Sequence, residues 1–210
     1  MSANHAAFNL IFRFVENYIS PIAGRISSQR HVMAIRDGFI SAMPFMIVGS
    51  FLLVFAYPPF SPDTTWGFAR AWLDLAKEFE GRILTPFDMT MGIMSIYICA
   101  AISYNLGKHY EKSNQLDPFM CAMLSIMAFL LIAAPKTNGT LPVDSLGGTG
   151  IFTAILVAIY CVEMMRFLKA HNIGIRLPDQ VPPMIKNSFD LLIPVLVVVL
   201  TLYPLSLFIQ

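Results

Sequence analysis

The 210-residue sequence is short of charge: Lys, Arg, Asp and Glu make up 13% of it, against about 25% in soluble globular domains. So few charges could not cover the surface of a water-soluble domain of this length. Fourteen basic and thirteen acidic residues leave a net charge of +1, so there is no positive field to hold a nucleic-acid backbone. Cysteine is scarce as well. Cys99, Cys121 and Cys161 lie in apolar runs, away from any C-x-x-C or C/H spacing, which excludes a disulfide scaffold and a zinc site. The four histidines (His5, His31, His109, His171) form no H-E-x-x-H. Neither a G-x-S-x-G elbow nor a Walker P-loop occurs. No catalytic residue, metal site or cofactor is therefore expected. What is abundant is apolar surface, 56% of the chain, and that composition reads as an integral membrane protein.

A spanning helix needs about 20 mostly apolar residues to cross about 30 Å of hydrocarbon. Five stretches are read as spans: 38–57, 89–107, 118–135, 147–165 and 191–210. They are continuous, without the alternating ten-residue segments of a membrane barrel. The expected fold is therefore all-α, with five transmembrane helices. The first 37 residues carry four arginines and no compact apolar core, so they do not read as a secretory leader. Outside the spans, placing the N-terminus in the cytoplasm puts ten Lys and Arg inside and four outside. That is the orientation the positive-inside bias selects.

Two polar segments read as amphipathic helices. In residues 1–37, Phe8, Ile11, Phe12, Val15, Ile19, Ile22 and Ile26 recur at helical steps opposite Asn9, Arg13, Glu16 and Ser20. This helix suits the headgroup layer, with a bend at Pro21. In residues 65–83, Phe68, Trp72, Leu75, Ala76, Phe79 and Ile83 form one stripe and Arg70, Asp74, Lys77 and Glu78 another. Surface anchoring and partner contact are both open roles. The loop 136–146 reads as irregular, and its Asn138-Gly139-Thr140 sequon as a chance pattern. Pro178, Pro182 and Pro183 hold the next loop extended.

Small residues mark helix contacts: Ser95, Cys99, Ser103 and Gly107 recur every four residues in the second span, and Gly150, Ala154 and Ala158 in the fourth. In lipid such faces let backbones approach. Packing inside one chain and a subunit interface are the two readings. Intramembrane polar groups, the usual signposts of a transport path, are few. Asp88 stands at the entrance of the second span and is expected to cap it; Glu163 stands in the last turn of the fourth, and Asn105 near the end of the second. Pro44, Pro194 and Pro204 are potential kinks.

Three segments carry a family resemblance. His31–Ser50 (HVMAIRDGFISAMPFMIVGS) resembles the first-span signature of enzyme IIC, the permease of the phosphoenolpyruvate-dependent sugar phosphotransferase system, in its lactose/cellobiose group. Phe87–Ser95 (FDMTMGIMS), and Gly150–Ile155 (GIFTAI) leading to Asn172–Phe189 (NIGIRLPDQVPPMIKNSF), are similar to further segments in the same order. The resemblance implies a multi-pass protein of the bacterial cytoplasmic membrane, a homodimer contact, and a partner IIB protein whose phosphocysteine carries the phosphoryl chemistry. It implies translocation of a β-linked disaccharide such as cellobiose, lactose or diacetylchitobiose. Family members run to about twice this length, and their sugar site lies in the C-terminal half. This chain is therefore expected to be the N-terminal scaffold half, without a sugar-contacting residue: a truncated product, an excised fragment, or a half-permease that assembles with a second polypeptide. Gly38, Pro44, Gly49, Phe87, Asp88, Gly150, Pro178, Pro182, Pro183 and Ser188 carry over as fold-determining positions.

Overall fold

The computed structural model describes residues 12–13, 15–134, 142–175, 182, 185 and 189–209. The described residues are helical, without strands: α1 (Ser20–Ser27), α2 (Arg30–Ala56), α3 (Gly67–Asp88), α4 (Met94–Asn114), α5 (Pro118–Ala133), α6 (Ile151–Ala170) and α7 (Leu192–Ile209). The expected sequon, with Pro178, Pro183 and Ser188, lies outside the described residues, as do Phe8 and Ile11.

α4 is the hub of the bundle, packed against α2, α5 and α6, while α7 packs on α5 and α6. α4 and α5 bury large side chains here, Ile98, Ile102, Leu106, Leu124 and Phe129, but the side of α2 that meets α4 is small. α2 buries Ala34, Gly38, Ala42, Gly49 and Ala56 and nothing larger, while Ile40 is 55% and Phe51 63% exposed. α7 turns Val198 and Leu202 inward and leaves Leu196 61% and Leu200 65% exposed. Water would reverse this arrangement, because burying large apolar side chains is what stabilises a soluble core. Lipid permits it, since the drive between helices there is close backbone contact. α2 and the stretch Gly148–Ala170 are long and apolar enough to cross a bilayer; Pro118–Ala133 and Leu192–Leu207 are apolar but shorter.

Ser95, Cys99, Ser103 and Gly107 on α4, with Gly150, Ala154 and Ala158 leading into and along α6, are all buried within this one chain. Gly107 lies against Pro118 and Cys121 of α5, so a Cβ there would sit 3.0–3.2 Å from them and need them to give way. A Cβ on Gly38 would run into the side chain and backbone of Ile102, and one on Gly49 into Met91 and Thr90. Both glycines thus set how closely α2 lies to the α4 segment.

Helix boundaries differ from the sequence reading in several places. Met89–Ile93, expected as the start of the second span, forms turns in which Thr90 and Gly92 N–H both donate to the Phe87 carbonyl. Gly92 permits the close turn: a Cβ there would strike the Asp88 backbone. Asp88 consequently ends α3 instead of capping α4, whose N-cap is Ile93, without a side-chain bond. α6 runs on to Ala170, which places Glu163 inside the helix and not in its last turn. In the N-terminal segment the chain passes from a π-helical turn (Val15–Ile19) into α1. The change falls immediately before Pro21, which stands in the first turn of α1, where a missing N–H is tolerated.

α3 runs beyond the expected 65–83 to Asp88 and packs on α2. Trp72 Nε1 donates to the Phe55 carbonyl at 3.2 Å, and its ring meets Phe55, Phe60 and Phe68 at centroid distances of 5.7, 5.6 and 5.9 Å. Aromatic groups of this amphipathic kind favour the membrane–water boundary.

Candidate functional site

One charged cluster ties three helices together. Glu163, on α6, faces inward because α6 buries Val162 on one side and Met165 on the other. Its Oε1 is 2.9 Å from His31 Nε2 of α2 and accepts a 2.7 Å bond from the Tyr110 hydroxyl of α4. Its Oε2 accepts from Arg166 Nε at 2.8 Å. Arg30 and Arg166 also stand over the Tyr110 ring, 5.5 and 4.8 Å from its centroid. A carboxylate only about a quarter exposed is costly unless its oxygens are paired, and here both are. The cluster thus braces α2, α4 and α6 against one another.

Beside it, at the same end, lies a cavity of about 360 Å³ bordered by Asn114, Gln115, Lys169, Asn172 and Asp190. Lys169 Nζ donates to the Gln115 carbonyl at 2.8 Å and lies 3.5 Å from Asp190. Gln115 and Asn172 both adopt positive φ, 52° and 54°. Gln115 thereby ends α4, and Asp117 starts α5 by accepting from the Phe119 and Met120 N–H groups, with Pro118 in the first turn.

Among the described residues, the positions singled out by sequence do not converge on a site. Gly38, Gly49 and Gly150 are buried packing points, Phe87 is a turn acceptor, and Pro44, Asp88 and Pro182 are exposed. Asn105 bonds back to the Ala101 carbonyl of its own helix. All three cysteines are free and buried, so none can meet a phosphoryl donor in solution. No group of three or more metal-ligating side chains occurs among the described residues. Of the charged cluster, sequence reasoning singled out Glu163 alone. Arg166, three residues on, was the available signal; His31 and Tyr110 come from distant helices and gave none.

Residues 36–210 match the family model "Phosphotransferase system, EIIC". The chain is 35% identical over 206 residues to the cellobiose-specific EIIC component of Geobacillus stearothermophilus, covering 89% of this chain and 43% of that protein. It is 33% identical over 196 residues to the lactose-specific EIICB component of Streptococcus mutans, covering 90% of this chain and 33% of that one. Its fold is similar to the crystal structure of the transporter ChbC, the IIC component of the N,N'-diacetylchitobiose-specific phosphotransferase system. That match has a TM-score of 0.76 and 33% identity, and covers 93% of this chain and 46% of ChbC. The chain spans less than half the length of these relatives.

Proposed function

This chain belongs to the EIIC family of the phosphotransferase system, in its lactose/cellobiose group, and we propose from that premise that it is the membrane scaffold half of a sugar permease. In this reading five spans, carried by α2, α4, α5, α6 and α7, cross the bacterial cytoplasmic membrane with the N-terminus inside. The whole permease passes a β-linked disaccharide such as cellobiose, lactose or diacetylchitobiose to the cytoplasmic face, where a IIB protein phosphorylates it, and it works as a dimer. This half contributes rigidity and position.

The observation that carries the reading is the Glu163 cluster. The most elaborate polar arrangement among the described residues is spent on joining α2, α4 and α6. The small residues through which α2 meets α4 support the same role. A non-transporting scaffold that assembles with a second polypeptide is the neighbouring reading, favoured by the same polar poverty.

Inverted membrane vesicles holding this chain, supplied with phosphoenolpyruvate and the soluble phosphotransfer proteins, test the proposal. The expected result is no phosphorylated cellobiose or diacetylchitobiose above vesicles lacking the chain. Robust phosphorylation would show that a complete sugar site resides here.

A further inference from the structure

The outward face of α4 differs from the rest of the bundle's surface. On α2, α6 and α7 large side chains stand out singly, as at Ile40, Phe152, Leu196, Leu200 and Tyr203. Between α2, α4 and α5 the surface instead sinks into a groove of about 340 Å³, floored by Ala42, Ala101 and Ala122 and flanked by Phe45, Tyr97 and Tyr104. The Phe45 and Tyr97 rings stack at 4.4 Å, 13° from parallel, and Tyr97 is held by a 2.7 Å bond from its hydroxyl to the Met89 carbonyl. One wall is thus rigid.

The other wall carries unmet polarity. Tyr104 is 45% exposed and its hydroxyl has no hydrogen bond among the described residues. Asn105 uses its amide N–H₂ on the Ala101 carbonyl, and its side-chain oxygen accepts nothing among the described residues. Near the end of the second span and facing lipid, those groups gain no partner from the acyl chains. Facing a helix, they gain interhelical bonds, and the alanine floor lets that helix come close.

We infer that this groove seats a transmembrane helix from the remaining half of an EIIC polypeptide. More than half of each relative's length lies beyond the part this chain matches, and that part has to pack on this bundle. The groove is its seat because it combines a concave shape, close-approach residues and hydrogen-bonding groups in want of a partner. The inference rests on the half-permease reading above.

The test is co-expression of the whole chain with the C-terminal portion of the Geobacillus stearothermophilus cellobiose EIIC component, followed by co-purification in nanodiscs. The two should co-purify. Ala101→Trp, which fills the floor, should lower the captured partner about tenfold or more. Asn105→Leu should lower it about threefold, as the loss of one interhelical bond does. Leu200→Trp, on the lipid-facing side, should leave capture unchanged, and Tyr104→Cys should form disulfides with cysteines scanned along a single partner helix. Co-purification untouched by Ala101→Trp, with no disulfide from position 104, would overturn the groove assignment and leave the half-permease reading standing. No co-purification at all would overturn both. Disulfides between two copies at position 104 would make a second copy the occupant and overturn the assignment.

Discussion

Tyr110 and Glu163, 53 residues apart, meet through a 2.7 Å hydrogen bond that joins α4 to α6. The same carboxylate oxygen is shared with His31 of α2, so one acidic side chain closes three helices at one end of the bundle. Tyr110→Phe removes one donor and is expected to cost about 1 kcal/mol. Glu163→Gln removes the charge that Arg166 and His31 address and is expected to cost more, about 1.5–3 kcal/mol. Because all three thiols are buried, a thiol-reactive fluorophore reports the unfolding of each variant in detergent. Equal melting of wild type and Glu163→Gln would remove the cluster's bracing role.

Two glycines should respond unequally to a methyl group. At Gly38 the added Cβ meets the Ile102 backbone nitrogen at 2.9 Å, and backbone does not yield. At Gly49 it meets the Met91 side chain at 2.5 Å, and that chain can rotate away. Gly38→Ala is expected to cost about 1–3 kcal/mol, and Gly49→Ala less. The same melting assay orders them, and the reverse order would contradict the packing described.

At the turn between α4 and α5, Asp117 holds two backbone N–H groups, at 2.9 and 3.3 Å. Asp117→Ala is expected to cost about 1 kcal/mol, and Asp117→Asn a fraction of that, since asparagine caps about as well. An equal loss in both variants would assign the effect to the carboxylate's charge and not to capping.

The proposed orientation places Lys112 in the cytoplasm and Asp63 outside, and both are exposed. Lys112→Cys should react with a membrane-impermeant maleimide only in inverted vesicles, and Asp63→Cys only in right-side-out ones. The opposite pattern would reverse the topology.

Much of this architecture was legible in the sequence because each apolar run contains a helix. The four-residue spacing of Ser95, Cys99, Ser103 and Gly107 also marked a face that the structure buries. The turn at Met89–Ile93 was not legible from hydropathy, because its residues are as apolar as a span; Gly92 was the local signal. Asp88 misled for the same reason, since an acid before an apolar run looks like a cap wherever the helix truly begins. The charged cluster was half visible. A carboxylate in an apolar run needs partners, and Arg166 stands one turn away, but only the fold brings His31 and Tyr110 to it.

The account depends most on lipid surrounding this bundle, with large side chains turned to it. Spin labels at Phe51, Leu196 and Leu200, all more than half exposed, measure this directly in reconstituted bilayers by their collisions with oxygen and with a water-soluble nickel complex. The account predicts strong relaxation by oxygen and little by nickel at all three positions. Strong relaxation by nickel there would mean that these faces meet water, and the membrane scaffold would be contradicted.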